Sequence, residues 1–215
     1  MGHYIKNLIE QGENQKLDFK FEISDAKKIA RTFSAFANTD GGKLLVGVKD
    51  NGVISGIRTE EEDYMVESAA HLFCKPAIKY RTRKWNIEGK WVLEVTITQA
   101  RKKPLYAKAE NGKWMAYIRV NDQNILANAV MLNVWKSINQ VKGVYIRYGH
   151  TEKKLLKILK ENESLTSKEM VEPSGIKKYI IEKILVKMIV IGVVEIVFTE
   201  QNAQYKLKTT PEPLR

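Results

Sequence analysis

Three carboxylates, Glu13, Asp18 and Asp50, stand at the ends of predicted elements in the N-terminal part of the chain. Carboxylate oxygens are the hard ligands that Mg²⁺ or Mn²⁺ takes, and a metal so held can activate water for phosphodiester cleavage. Glu13 precedes a predicted strand, Asp18 lies on that strand's polar face, and Asp50 ends a second, apolar strand. If the strands are neighbours, the three groups converge at one end of a sheet. Glu13 and Asp50 also have a plain structural reading, because acidic residues are common in turns.

The second chemistry is cationic. Lys75, Lys79, Arg81, Arg83 and Lys84 surround a predicted strand, with Tyr80 and Trp85 interleaved. Alternation puts Lys79, Arg81 and Arg83 on one face, with Trp85 continuing the row. Arg101, Lys102 and Lys103 form another cluster, and Lys20 shares the polar face of its strand with Asp18. Cations beside aromatic rings suit a nucleic-acid strand, through counterion release and stacking. Arg119 projects from a later strand, and two roles stay open for it: phosphate binding or internal pairing with an acid. The pair Gly41-Gly42 follows a predicted helix and does not open one, and no Gly-x-x-x-x-Gly-Lys-Ser/Thr occurs, so ATP is not expected. His3, His71 and His150 are scattered and Cys74 is the sole cysteine, which offers no zinc set. No cofactor is expected, except Mg²⁺ or Mn²⁺ if the acidic trio cleaves.

Charge supports the cationic reading. The 215 residues hold 36 Lys and Arg against 25 Asp and Glu, a net charge of +11. An anionic partner follows, nucleic acid before membrane. One cysteine fits a reducing cytoplasm, and no apolar run approaches the ~18 residues of a membrane span.

The elements that must position these groups can be read from periodicity. A helix runs from Tyr4 toward Gly12, and Leu17, Phe19 and Phe21 alternate with Asp18 and Lys20 in a half-buried strand. Ser24 is the expected cap of a helix with Ile29, Phe33, Phe36 and Ala37 on its apolar face, ending at Gly41-Gly42. Leu44 to Val48 is apolar on both faces, hence a central strand, and Asn51-Gly52 turns into Val53 to Ile57. A helix from Glu60 to Leu72 follows. Strands over Ala77–Trp85, Trp91–Ile97 and Trp114–Val120 come next, and a helix over Ala127–Asn139 is expected to close the domain. This is an α+β arrangement, a mixed sheet with packed helices.

Residues 143–150 read as a linker between a domain over 1–142 and a smaller one over 151–215. In the smaller one, Thr166 and Glu169 have capping-box spacing, and a third helix runs from Ile176 to Val190. Two β-rich runs follow. Helix, helix, helix, hairpin is the order of a winged helix-turn-helix, with Lys177 and Lys178 near the start of the recognition helix.

The run Ala35-Phe36-Ala37-Asn38-Thr39-Asp40-Gly41-Gly42 and then Leu44-Leu45-Val46-Gly47-Val48-Lys49-Asp50, preceded by Asp18-Phe19-Lys20, resembles the AlbA-like domain of the Schlafen family. Lys103-Pro104-Leu105-Tyr106 with Tyr117-Ile118-Arg119-Val120 resembles that family's second signature. The resemblance covers roughly residues 10–125 and implies an AlbA-like DNA-binding fold. It also implies a nuclease alternative, since family members that cut transfer RNA use a carboxylate triad aligning with Glu13, Asp18 and Asp50. The family pattern usually has Glu where Asp18 stands, and the shorter side chain argues for binding over cleavage. The reading is a cytoplasmic nucleic-acid-binding protein, DNA favoured over RNA, acting as a transcriptional regulator. Alternatives are a metal-dependent ribonuclease and a winged-helix interaction module, with a homodimer as a further partner.

Overall fold

The structure, a computed structural model, describes residues 2–57, 61–140, 145 and 148–208. The chain forms two compact units that divide between Ala127 and Asn128. Most of the expected linker over 143–150 lies outside the described residues, as does the tail from 209.

The first unit runs α1 (Gly2–Glu10), β1 (Leu17–Lys20), α2 (Ala26–Asn38), β2 (Gly42–Val46), α3 (Glu61–His71), β3 (Cys74–Lys75), β4 (Tyr80–Ile87), β5 (Lys90–Ile97), β6 (Tyr106–Lys108), β7 (Trp114–Val120) and β8 (Gln123–Leu126). One sheet has the order β1-β2-β5-β4 and is mixed: β1 and β2 are parallel, the other pairs antiparallel. A second, antiparallel sheet has the order β3-β6-β7-β8. The unit is α+β, as expected.

Alternation sorts the first sheet. Leu44, Val46, Leu93, Val95 and Ile97 face α2, whereas Leu17, Phe19, Leu45, Val92 and Ile87 pack with Ile5 of α1. Helix α2 is buried nearly all round, not along one stripe, because the second sheet covers its other side. Phe33 and Phe36 have no exposed surface. Burial of each such ring stabilises the fold by about 2–3 kcal/mol. The polar residues of α2 are paired: Ser34 Oγ donates to the Leu105 carbonyl at 2.8 Å, and Asn38 Nδ2 to the carbonyls of Leu105 (2.8 Å) and Tyr117 (2.9 Å). The Leu105 N–H donates back to Asn38 Oδ1 at 2.8 Å. Asn38 therefore ties the first sequence signature to the second.

Asp25, not Ser24, caps α2; its carboxylate accepts from the Lys27 N–H. Gly41 has φ +73°, and a Cβ there would come 2.8 Å from the Ile97 carbonyl, so glycine is needed where the turn meets β5. The expected strand over Val53–Ile57 is a single bridge, Val48 to Ile54, closing a turn in which Gly52 N–H donates to the Lys49 carbonyl.

The second unit holds α4 (Ala129–Ile138), α5 (His150–Lys160), α6 (Val171–Ser174), α7 (Lys178–Val190), β9 (Val194–Phe198) and β10 (Ala203–Leu207). Helix α4 does not close the first unit as its position suggests. Val130 and Val134 join the core of Leu155, Leu159, Ile181 and Leu185, and Asn128 caps α4 while donating to the Tyr205 hydroxyl at 3.2 Å. An apolar face at i, i+4 spacing does not reveal which neighbour buries it. The Thr166–Glu169 box is present: the Glu169 carboxylate accepts from the Thr166 N–H at 2.8 Å. β9 and β10 form an antiparallel hairpin, and Leu165 makes a single bridge to Tyr205. Among the described residues no helix is long and apolar enough to cross a membrane.

Candidate nucleic-acid interface

Of the acidic trio, only two members meet. Asp18 is buried, contrary to its expected place on the polar side of a half-buried strand. Its face of β1 is covered by α2 and, past it, by β7 and β8. Thr32 donates to Asp18 Oδ2 at 3.4 Å, Arg119 Nη2 lies 3.4 Å from Oδ1, and Lys20 Nζ 3.3 Å from it. Glu13 caps the strand start by accepting the Phe19 N–H at 2.8 Å. Burial pushes the Glu13 carboxyl up to about 7, helped by the hydrogen bond and charge of Asp18 and opposed by the Phe19 N–H and Lys20. Asp50 sits exposed at the hairpin tip beyond β2. Among the described residues no three His, Cys, Asp or Glu side chains are grouped to hold a metal ion. The three residues between Val46, where β2 ends, and Asp50 carry this carboxylate past the pair.

Arg119 does not face solvent. It is among the most buried side chains, and its guanidinium donates to the carbonyls of Leu17 (3.0 Å) and Asn14 (3.2 Å) and to Asn124 Oδ1 (3.1 Å). Its contacts are all internal, which removes it from the phosphate-binding set. Lys20 belongs to the same cluster, 3.8 Å from Glu13 as well as beside Asp18.

The remaining cations divide by environment. Lys84 pairs with Asp63 at 2.7 Å, and Lys103 is half-buried with Nζ 3.3 Å from the Thr39 carbonyl. Burial lowers the Lys103 ammonium below its usual range, against the pull of Asp40. Lys79, Arg81 and Arg83 are exposed along β4 and just before it, and among the described residues they meet no carboxylate within ion-pair distance. Arg83 stacks on the Trp85 ring, 3.9 Å from its centroid. Trp85 is itself buried, with Nε1 donating to Glu94 at 2.8 Å. Lys75 on β3 lies 6.0 Å over Trp114, and Arg101 and Lys102 are exposed in the loop after β5. In the second unit Lys177 stands at the N-cap position of α7 without a side-chain capping bond and is exposed, whereas Lys178 pairs with Glu182 at 3.5 Å.

One cluster has no sequence signal beyond a lone acid in an apolar strand. Glu94 of β5 is buried and accepts from Lys43, from Tyr4 of α1 at 2.9 Å and from Trp85. Burial pushes the Glu94 carboxyl up, but these donors outweigh it and hold it below its ordinary value.

A family model described as Schlafen, AlbA_2 matches residues 13–128, more than half of the chain. The chain belongs to the Schlafen AlbA_2 family. The matched span covers both signatures joined by Asn38, the Asp18–Arg119 cluster and the β4 edge. Among solved structures it is similar to the DIP2311 protein of Corynebacterium diphtheriae, at 20% identity and TM-score 0.44 over 61% of this chain. It is also similar to the N-terminal domain of a RecG-related protein from Nitrosomonas europaea, at 25% identity and TM-score 0.40 over 58% of this chain and 95% of that one. The chain spans a quarter of the length of the Corynebacterium protein (25%).

Proposed function

We propose that this protein binds nucleic acid, DNA before RNA, and acts as a transcriptional regulator. The observation that carries the reading is the edge strand β4, where Arg81 and Arg83 face solvent with no carboxylate within ion-pair distance among the described residues, while Lys84 on the same strand pairs with Asp63 and Arg119 in the core lies beside Asp18. Cations left unpaired in a family fold read as AlbA-like are available for phosphates. Arg101 and Lys102 extend the exposed charge. The second unit, with its helices and hairpin, is read as a winged helix-turn-helix, in which α7 would present Lys177 at the nucleic acid and the unit would pair two copies.

The second reading is metal-dependent RNA cleavage. It is favoured by the contact of Glu13 with Asp18, two carboxyls held together with one of them titrating near neutrality. A single experiment separates the two: anisotropy titrations with labelled duplex DNA, single strands and transfer RNA, with and without Mg²⁺ or Mn²⁺, with the products run on a gel. Regulation by binding expects salt-sensitive association with duplex DNA and intact nucleic acid in every lane. Metal-dependent cutting of RNA, lost in Glu13→Gln and Asp18→Asn, would replace it with the nuclease reading.

A further inference from the structure

The face of the first sheet covered by α1 is not covered to its end. Register places Arg81, Thr96 and Lys43 side by side on β4, β5 and β2, on the same face as the α1-packed residues and in the row that Leu17 of β1 begins. Two hollows, of about 760 and 410 Å³, open along this row and share Thr96 and Thr98 as common walls. The larger holds Lys79 and Arg81; the smaller holds Lys16 and the turn at Gly41.

We propose that the joined hollows are one trough that seats the sugar–phosphate backbone of a nucleic-acid strand, running from the β4 edge across Thr96 and Thr98 to Lys16. The proposal rests on the nucleic-acid reading above and gives the strand a path across the sheet.

Charge decides the occupant. Lys43 is neutralised by Glu94, and Thr96 Oγ1 lies 3.4 Å from Lys43 Nζ, so this middle stretch is polar without net charge. Lys79 and Arg81 at one end and Lys16 at the other have no carboxylate within ion-pair distance among the described residues. Asp40 is the acid in the smaller hollow, and it accepts from Gln15 at 3.0 Å and faces Lys103. With strands ~4.8 Å apart, the distance from β4 to β2 is ~10 Å. That leaves cations at both ends of a hydroxyl-lined floor, a pattern for a continuous polyanion and not for one small anion. It also gives Gly41 a role: the turn can lie on the backbone of Ile97 and Gln99 only without a Cβ, which keeps the floor shallow.

The test uses the full chain with labelled single-stranded DNA, the same sequence as duplex, and transfer RNA, titrated at several salt concentrations. Lys16→Glu and Thr98→Asp should each weaken binding several-fold, and Lys16→Ala should reduce the salt slope by about 0.7–0.9. Thr98→Lys should tighten binding; Thr98 is exposed, so this variant reads the trough even if Lys16→Glu folds poorly. The preferred form among the three probes identifies the strand's source. The trough is overturned if Arg81→Ala weakens binding while all changes at Lys16 and Thr98 leave affinity and slope unchanged. Wild type that binds none of the probes removes the nucleic-acid reading itself, and the trough with it.

Discussion

Asp18 and Glu94 are both buried carboxylates on the first sheet, on opposite faces, and their surroundings differ in kind. Glu94 has a lysine, a tyrosine and a tryptophan donating to it. Asp18 shares its site with Glu13, and its buried cation, Arg119, is spread over two carbonyls and Asn124 as well. Net compensation is thus fuller at Glu94. Burial, together with the neighbouring Asp18 acid, raises Glu13, and the Phe19 N–H and Lys20 offset this only in part. The difference teaches that burial alone does not set a carboxylate's state; the number of donors per acid does.

The comparison can be broken most strongly at Arg119. Arg119→Met should cost about 4 kcal/mol in urea denaturation, because it removes the buried cation beside Asp18 and one of the two donors to each of the Leu17 and Asn14 carbonyls. A loss under about 1 kcal/mol would show that the cluster is solvated and not a clamp. Glu94→Gln should cost less, about 2 kcal/mol, since the amide still accepts from Trp85 and Lys43 is a third exposed and can turn to water. If the two variants lose equal stability, the contrast between the faces fails.

A subtler contrast is in pH. Glu13 has its folded pKa raised, so its contribution is fully present below about 4.5 and is lost as pH rises toward about 7. Glu94 is lowered, so its contribution is present above the ordinary carboxylate range and lost in acid. Glu13→Gln should therefore raise the melting temperature relative to wild type at pH 7.5 and do so less at pH 4.5, a flattening read by circular dichroism. An identical shift at both pH values would mean that Glu13 does not titrate in this window. The smallest effect belongs to the β4 edge. Arg83→Ala should change stability by about 1 kcal/mol or less, through the lost stack on Trp85, while reducing the salt slope of DNA binding by about 0.9.

Several elements were legible from spacing. Gly12, with its positive φ, follows the first helix, β2 is central, and the Thr166–Glu169 box forms as its spacing requires. The short strands β3, β6 and β8 have no alternation to read, being two to four residues long. They exist because α2 has a second face to cover.

What the sequence determined by itself is local: the elements, their caps and turns, the excess of cations and the membership signalled by two ordered motifs. Local signals suffice there because hydrogen bonding and φ/ψ preference act over a few residues. The tertiary structure alone decided which charges are available. Lys84 and Arg119 have the same charge as Arg81, but pairing across the fold occupies them. It also moved Asp18 from solvent to core and α4 from one unit to the other. Those outcomes depend on what packs against each face, and a strand's alternation names its two faces without saying what will cover them.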